Sequence, residues 1–154
     1  MIQRIQSLYL LLAAALMTLT LCLPIAMFTV ASGEVFTLSA FSLSSALQSQ
    51  STLWMGILLS LAAALPLVTI FLFKNRMLQV RLCAVEIVVL LGCIAFMAIY
   101  FWLSGANALE AAVVEHRQFG WAAIMPIVAL VFVSLAARAT FKDEVLVRSL
   151  DRIR

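Results

Sequence analysis

Residues Arg81 to Leu103 read RLCAVEIVVLLGCIAFMAIYFWL, an apolar run that holds one carboxylate, Glu86. A helix rises about 1.5 Å per residue and the hydrocarbon core of a bilayer is about 30 Å thick, so about 20 such residues cross it. Leu82 to Leu103 is long enough. Three further runs of the same character flank it, over about residues 8–30, 53–73 and 121–137. The expected fold is therefore all-α: an integral membrane four-helix bundle, followed over residues 138–154 by a short amphipathic cytoplasmic helix.

Composition points the same way. Of 154 residues, 66% are hydrophobic and 11% charged, whereas a soluble domain is about half apolar and about a quarter charged. The mean hydropathy is +1.16. The net charge of +3 does not suggest nucleic acid, because the basic residues stand at the edges of apolar runs and form no patch. Cys22, Cys83 and Cys93 are odd in number and lie inside apolar runs, and His116 is the lone histidine. Neither a disulfide framework nor a metal or other cofactor is expected. A phosphate loop, a nucleophile paired with a base and a metal-ligand spacing are all missing from the sequence, and the expectation is a non-enzymatic protein.

The first run could pass for a signal peptide, but its apolar core exceeds the roughly 7–15 residues of a signal h-region, and it reads as an uncleaved span. Ala14, Thr18 and Cys22 recur every fourth residue on it, as Gly56, Ser60 and Ala64 do on the second run. Small residues at that spacing let helix backbones approach, so these two faces are expected to meet. Pro24, Pro66 and Pro126 all fall within apolar runs and mark expected kinks. The serine-rich interval 31–52 reads as a capping loop; partial alternation in VFTLS and AFSLSS leaves a small hairpin open. The interval 104–120 reads as a second outer loop with a helical turn or two over Leu109 to Val114. Glu115 and His116 diverge by about 100° on a helix, which favours a solvated rim over an acid–base or ligand pair.

Four spans place both termini on one side. The positive-inside rule then puts Arg4, Lys74, Arg76, Arg81, Arg138, Lys142, Arg148, Arg152 and Arg154 in the cytoplasm. Trp54, Trp102 and Trp121 fall at the opposite ends of their spans, as an interfacial aromatic belt requires. In the tail, Leu146, Leu150 and Ile153 share one helical face, and Glu144 with Arg148, and Arg148 with Asp151, have pairing distances in sequence.

Glu86 lies in the inner leaflet under this topology, and an intramembrane acid is a functional candidate by default. The structural reading is an ion pair with Arg81, Arg138 or Lys74 that fixes helix register, in which case Glu86→Gln destabilises the protein more than Glu115→Gln. The functional reading is a cation or proton site. The outer two-thirds of every span offers only scattered serine, threonine and cysteine, which is thin provision for a transport path.

The two ends of the chain, MIQRIQSLYLLLA and KDEVLVRSLDRIR, carry a resemblance over essentially the full length. The sequence resembles a family of small four-span inner-membrane proteins of Bacteroidota defined only as domain of unknown function 4293. That resemblance brings no activity, cofactor or catalytic residue. It implies that Arg4, Asp143, Glu144, Arg148, Asp151 and Arg152 belong to a shared cytoplasmic feature, a candidate partner-binding segment. The leading functional expectation is an accessory or scaffold subunit in a bacterial inner membrane, meeting the lipid bilayer and another membrane protein or complex. The alternative is a small oligomeric transporter or channel-like protein using Glu86. A lipid- or quinone-binding membrane enzyme has the least support.

Overall fold

A computed structural model describes residues 2–30, 33–45, 49–72, 76–107 and 114–151. The elements run α1 (Ile2–Cys22), β1 (Ala26–Val30), β2 (Val35–Leu38), β3 (Ser42–Ser44), β4 (Ser49–Ser51), α2 (Leu53–Phe71), α3 (Arg76–Asn107), β5 (Val114–Phe119), a 3-10 turn at Trp121–Ala123 and α4 (Met125–Asp151). All four helices are long and apolar enough to cross a membrane. α1 packs on α2 and α4, and α3 packs on the same two, so the helices follow one another around a square. The start of α1, the end of α2, the start of α3 and the end of α4 lie away from the strands, at what is the terminal end of the bundle; the other is the sheet end.

The all-α expectation is corrected by the strands. They form one five-stranded antiparallel sheet in the order β4-β3-β2-β1-β5, with Phe28 opposite Phe36 on one side and Arg117 on the other. Burial along β1 alternates: Ala26, Phe28 and Val30 are buried, whereas Met27 is exposed and Thr29 half-buried. Phe36, Leu38 and Leu43 continue the buried face on β2 and β3, and they join Met17, Met55, Leu59, Met97 and Ala129 in one core. A period of two turned toward a packed helix end is what makes these short segments strands. The serine-rich interval is thus a folded cap and not a loop. Hydroxyls on the other face are paired along it: Thr37 Oγ1 donates to the Ser44 carbonyl at 3.2 Å and Ser39 Oγ to the Ser42 carbonyl at 3.0 Å.

Pro24 explains where the first expected span goes wrong. A proline disfavours helical backbone in the residue before it, and α1 ends at Cys22, after which the still apolar chain turns into β1. Pro126 is the second residue of α4, where its missing N–H costs little. Only Pro66 sits inside a helix. At the other extreme α4 runs unbroken through Arg138 to Asp151, so the tail is an extension of the fourth span and not a separate surface helix. Nothing between Pro126 and Arg154 is a glycine or proline to stop it. The expected turn at Leu109 to Val114 lies outside the described residues except for Val114, which opens β5.

The small-residue stripes turn inward only in part. Ala14 and Gly56 are buried and Ser60 is half-buried, but Thr18, Cys22 and Ala64 are exposed. The inward faces are instead Ala13 and Met17 on α1 and Met55, Leu59, Ala62 and Ala63 on α2. Gly56 is needed for another reason, since a Cβ there would strike the Phe41 ring that folds over it from the sheet.

Candidate functional site

The terminal third of the bundle is built differently from the rest. Leu10 of α1, Cys83 of α3 and Ala136 of α4 touch in a small cluster, with Tyr9, Ile70 and Ala137 against it. One helical turn further toward the termini on the same faces stand Gln6, Gln79 and Thr140, because positions four apart share a face. All three are buried. They form a polar layer under an apolar one. Thr140 Oγ1 donates back to the Ala136 carbonyl at 2.8 Å, but Gln6 Nε2 has no hydrogen-bond partner among the described residues.

Glu86 stands three residues from Cys83 in the opposite direction, about 4.5 Å along the axis. That places it level with Ala13, three residues past Leu10, and with Val133, three residues before Ala136. Glu86, Ala13 and Val133 are each 0% exposed. Both carboxyl oxygens lack a hydrogen-bond partner among the described residues. Arg81 and Arg138 are exposed, so the expected register-fixing pair with either is not made within the chain; Lys74 lies outside the described residues. The reason is rotational. Arg81 precedes Glu86 by five positions, about 140° around the helix, and Arg138 follows the buried Ala136 by two, so both cations leave the bundle on its outer faces.

An ionised carboxylate without a partner in an apolar interior costs several kcal/mol. The position therefore calls for a counter-charge: a proton, a small cation, or a side chain delivered by another chain. Above it the interior closes, with Leu90, Cys93, Met97 and Phe101 buried in succession along α3. Cys93 Sγ reaches the Leu58 carbonyl at 3.6 Å. The lack of a pair among the described residues also reverses the sign of the substitution test. Removing an unsatisfied buried group relieves a penalty, whereas breaking a buried pair creates one.

Of the tail residues, Asp143 is half-buried and makes an interaction of its own. The side chains of Arg4, Glu144, Arg148 and Asp151, and the whole of Arg152, lie outside the described residues. Glu115 and His116 fall on β5, and His116 is exposed. Arg117, on the strand's other face, lies over the Trp102 ring at 5.8 Å. Two places along it, Phe119 stacks on Phe101 with 3.8 Å between centroids. This aromatic seam between β5 and α3 was not anticipated; the alternation of Arg117 and Phe119 was its one sequence signal. No group of three His, Cys, Asp or Glu comes together among the described residues.

Taken together, these features define a class: a bundle of four membrane-capable helices closed at one end by an antiparallel sheet, with a buried acid in its interior that has no partner among the described residues. The chain belongs to the family described as Domain of unknown function (DUF4293), whose model matches residues 2–153. No curated protein matches it.

Proposed function

We propose that the protein is a non-enzymatic component of a membrane assembly, an accessory or scaffold subunit held in a bacterial inner membrane with both termini in the cytoplasm. One observation carries this reading: the sheet's buried face, through Phe28, Val30 and Leu38, closes the end of a bundle whose described interior between Glu86 and the sheet is apolar but for Thr20, whose hydroxyl donates to the Leu16 carbonyl. A closed interior leaves the outward helix faces and the α4 extension as the surfaces with which to act. Those faces carry many large exposed side chains, among them Leu8, Leu11, Ile57, Val88, Leu91 and Val131. In a bilayer, lipid or a neighbouring helix covers such faces with equal ease, and polar groups decide the partner. Arg4, Asp143, Glu144, Arg148, Asp151 and Arg152 supply those groups at the terminal end.

Gentle solubilisation of the tagged protein from its native membrane, with and without the last twelve residues, tests the proposal. A partner that co-purifies only with the full chain supports it. A clean monomer in both preparations overturns it.

A second reading, a small oligomeric transporter, has the unpartnered Glu86 carboxyl in its favour. A ring of Glu86 side chains around a water-filled axis is the arrangement it needs, and Glu86 points into its own bundle. Proton or cation flux into vesicles that vanishes in Glu86→Gln would establish this reading over the first.

A further inference from the structure

A groove of about 610 Å³ runs between α3 and α4 at the terminal end, on the outside of the bundle. Its hollow comes from small side chains, Ala84 on α3 and Ala137 on α4, set between the bulkier Ile87 and Phe141. Arg138 and Lys142 line it as well. They are four apart and so stack on one face of α4. Among the described residues, none that lines it is acidic. Asp143 follows Lys142 but projects about 100° away around the helix.

We infer that this groove binds one anionic phospholipid, with an acyl chain along the alanine floor and the phosphate between Arg138 and Lys142. Depth and charge both fit. By length and composition the candidate span through α4 runs to Asp143 and that of α3 starts at Met77, so Lys142 stands at the margin of its span and Ile87 about 15 Å further along α3 from Met77. Long basic side chains at such a margin extend their charged ends toward the interface while their stems cover apolar surface. Basic pockets between membrane helices hold lipid phosphates in this way. A protein helix would fit less well, because it would have to cover two cations while offering no counter-charge from an apolar span.

A second groove, about 290 Å³, opens between the same helices at the sheet end near Phe101, Trp102, Phe119 and Ile127. Among the described residues the cation beside it is Arg117, which Trp102 already engages. It therefore supplies no comparable anion site.

The test uses the full chain in nanodiscs made from equal parts phosphatidylglycerol and phosphatidylcholine, extracted into mild detergent, with retained lipid counted by native mass spectrometry. The wild type is expected to keep phosphatidylglycerol in clear excess over its bulk share. R138Q/K142Q should lower that preference by about tenfold or more, the scale expected for two near-surface cations. A84L, which fills the floor and leaves the charge unchanged, should lower it as well. R81Q removes an exposed cation at the same end of the bundle that is not among the groove's lining residues, and should lower the preference several-fold less than R138Q/K142Q does. Retention at the bulk ratio by the wild type, an unchanged preference in R138Q/K142Q, or an equal fall in R81Q would each overturn the assignment.

Discussion

The two ends of the bundle are finished to different standards. At the sheet end the polar groups are spoken for: strands share their backbone hydrogen bonds, Thr52 N donates to the Phe41 carbonyl at 2.9 Å and Thr52 Oγ1 to the Ala40 carbonyl at 3.3 Å. Aromatic rings fill the space beneath, with Phe28 and Phe101 at 5.5 Å. At the terminal end the buried Gln6 Nε2, Glu86 Oε1 and Glu86 Oε2 have no partner among the described residues. Buried polar groups in stable proteins are nearly always paired. The contrast teaches that, among the described residues, the sheet end satisfies its buried polar groups, whereas the terminal end leaves three buried polar atoms unsatisfied.

Truncating the sheet end should therefore do the most damage. Phe28→Ala removes the largest fully buried side chain beneath β1 and is expected to cost about 3–5 kcal/mol, read as a lowered unfolding midpoint in detergent. Gly120→Ala comes next. Its Cβ would meet the Pro24 and Ile25 carbonyls, which are backbone and cannot swing aside, and the Gly120 N–H donates to that same Ile25 carbonyl at 2.8 Å. A loss of about 3 kcal/mol is expected, the upper part of the overpacking range. The comparison then predicts a change of sign. Glu86→Met should stabilise the isolated chain by about 2 kcal/mol, because an unsatisfied buried group is removed without leaving a void. A fall in its midpoint would mean that Glu86 has a partner in solution and would break the contrast. Smallest is Arg117→Gln, which forfeits an exposed cation–π contact of about 0.5 kcal/mol; a hydrogen-exchange measurement on β5 would detect loosening there and nowhere else.

How much of this could be read in the sequence depended on which solvent a segment faces. The four spans were legible because lipid demands an uninterrupted apolar stretch, and Leu53–Phe71 and Leu82–Leu103 carry one. The sheet was not legible because its first strand, AMFTV, is as apolar as the helix before it, and only Pro24 separates the two. A period of two over five residues is lost inside a run that is hydrophobic throughout. The alternation in VFTLS left a hairpin open, and Gly33 ahead of β2 adopts a positive φ of 82°, but a lone hairpin is marginal. What made five strands stable was β5, which pairs with β1 from the far side of α2 and α3, Val30 lying opposite Val114, and no local pattern announces that pairing. For the candidate site, Glu86 was conspicuous as the one acid in a span. Its isolation was not, because the rotation that carries Arg81 and Arg138 outward depends on which face of each helix is buried.

The lengths of α3 and α4 have a mechanical consequence. At about 1.5 Å per residue, 32 and 27 residues make rods of about 48 and 40 Å, against a hydrocarbon layer of about 30 Å. Both overshoot the bilayer, and α4 does so without a hinge at Arg138. A rigid shaft conveys torque, so a body gripping the helix near Asp151 would sense every roll of the fourth span inside the lipid and could turn it in return.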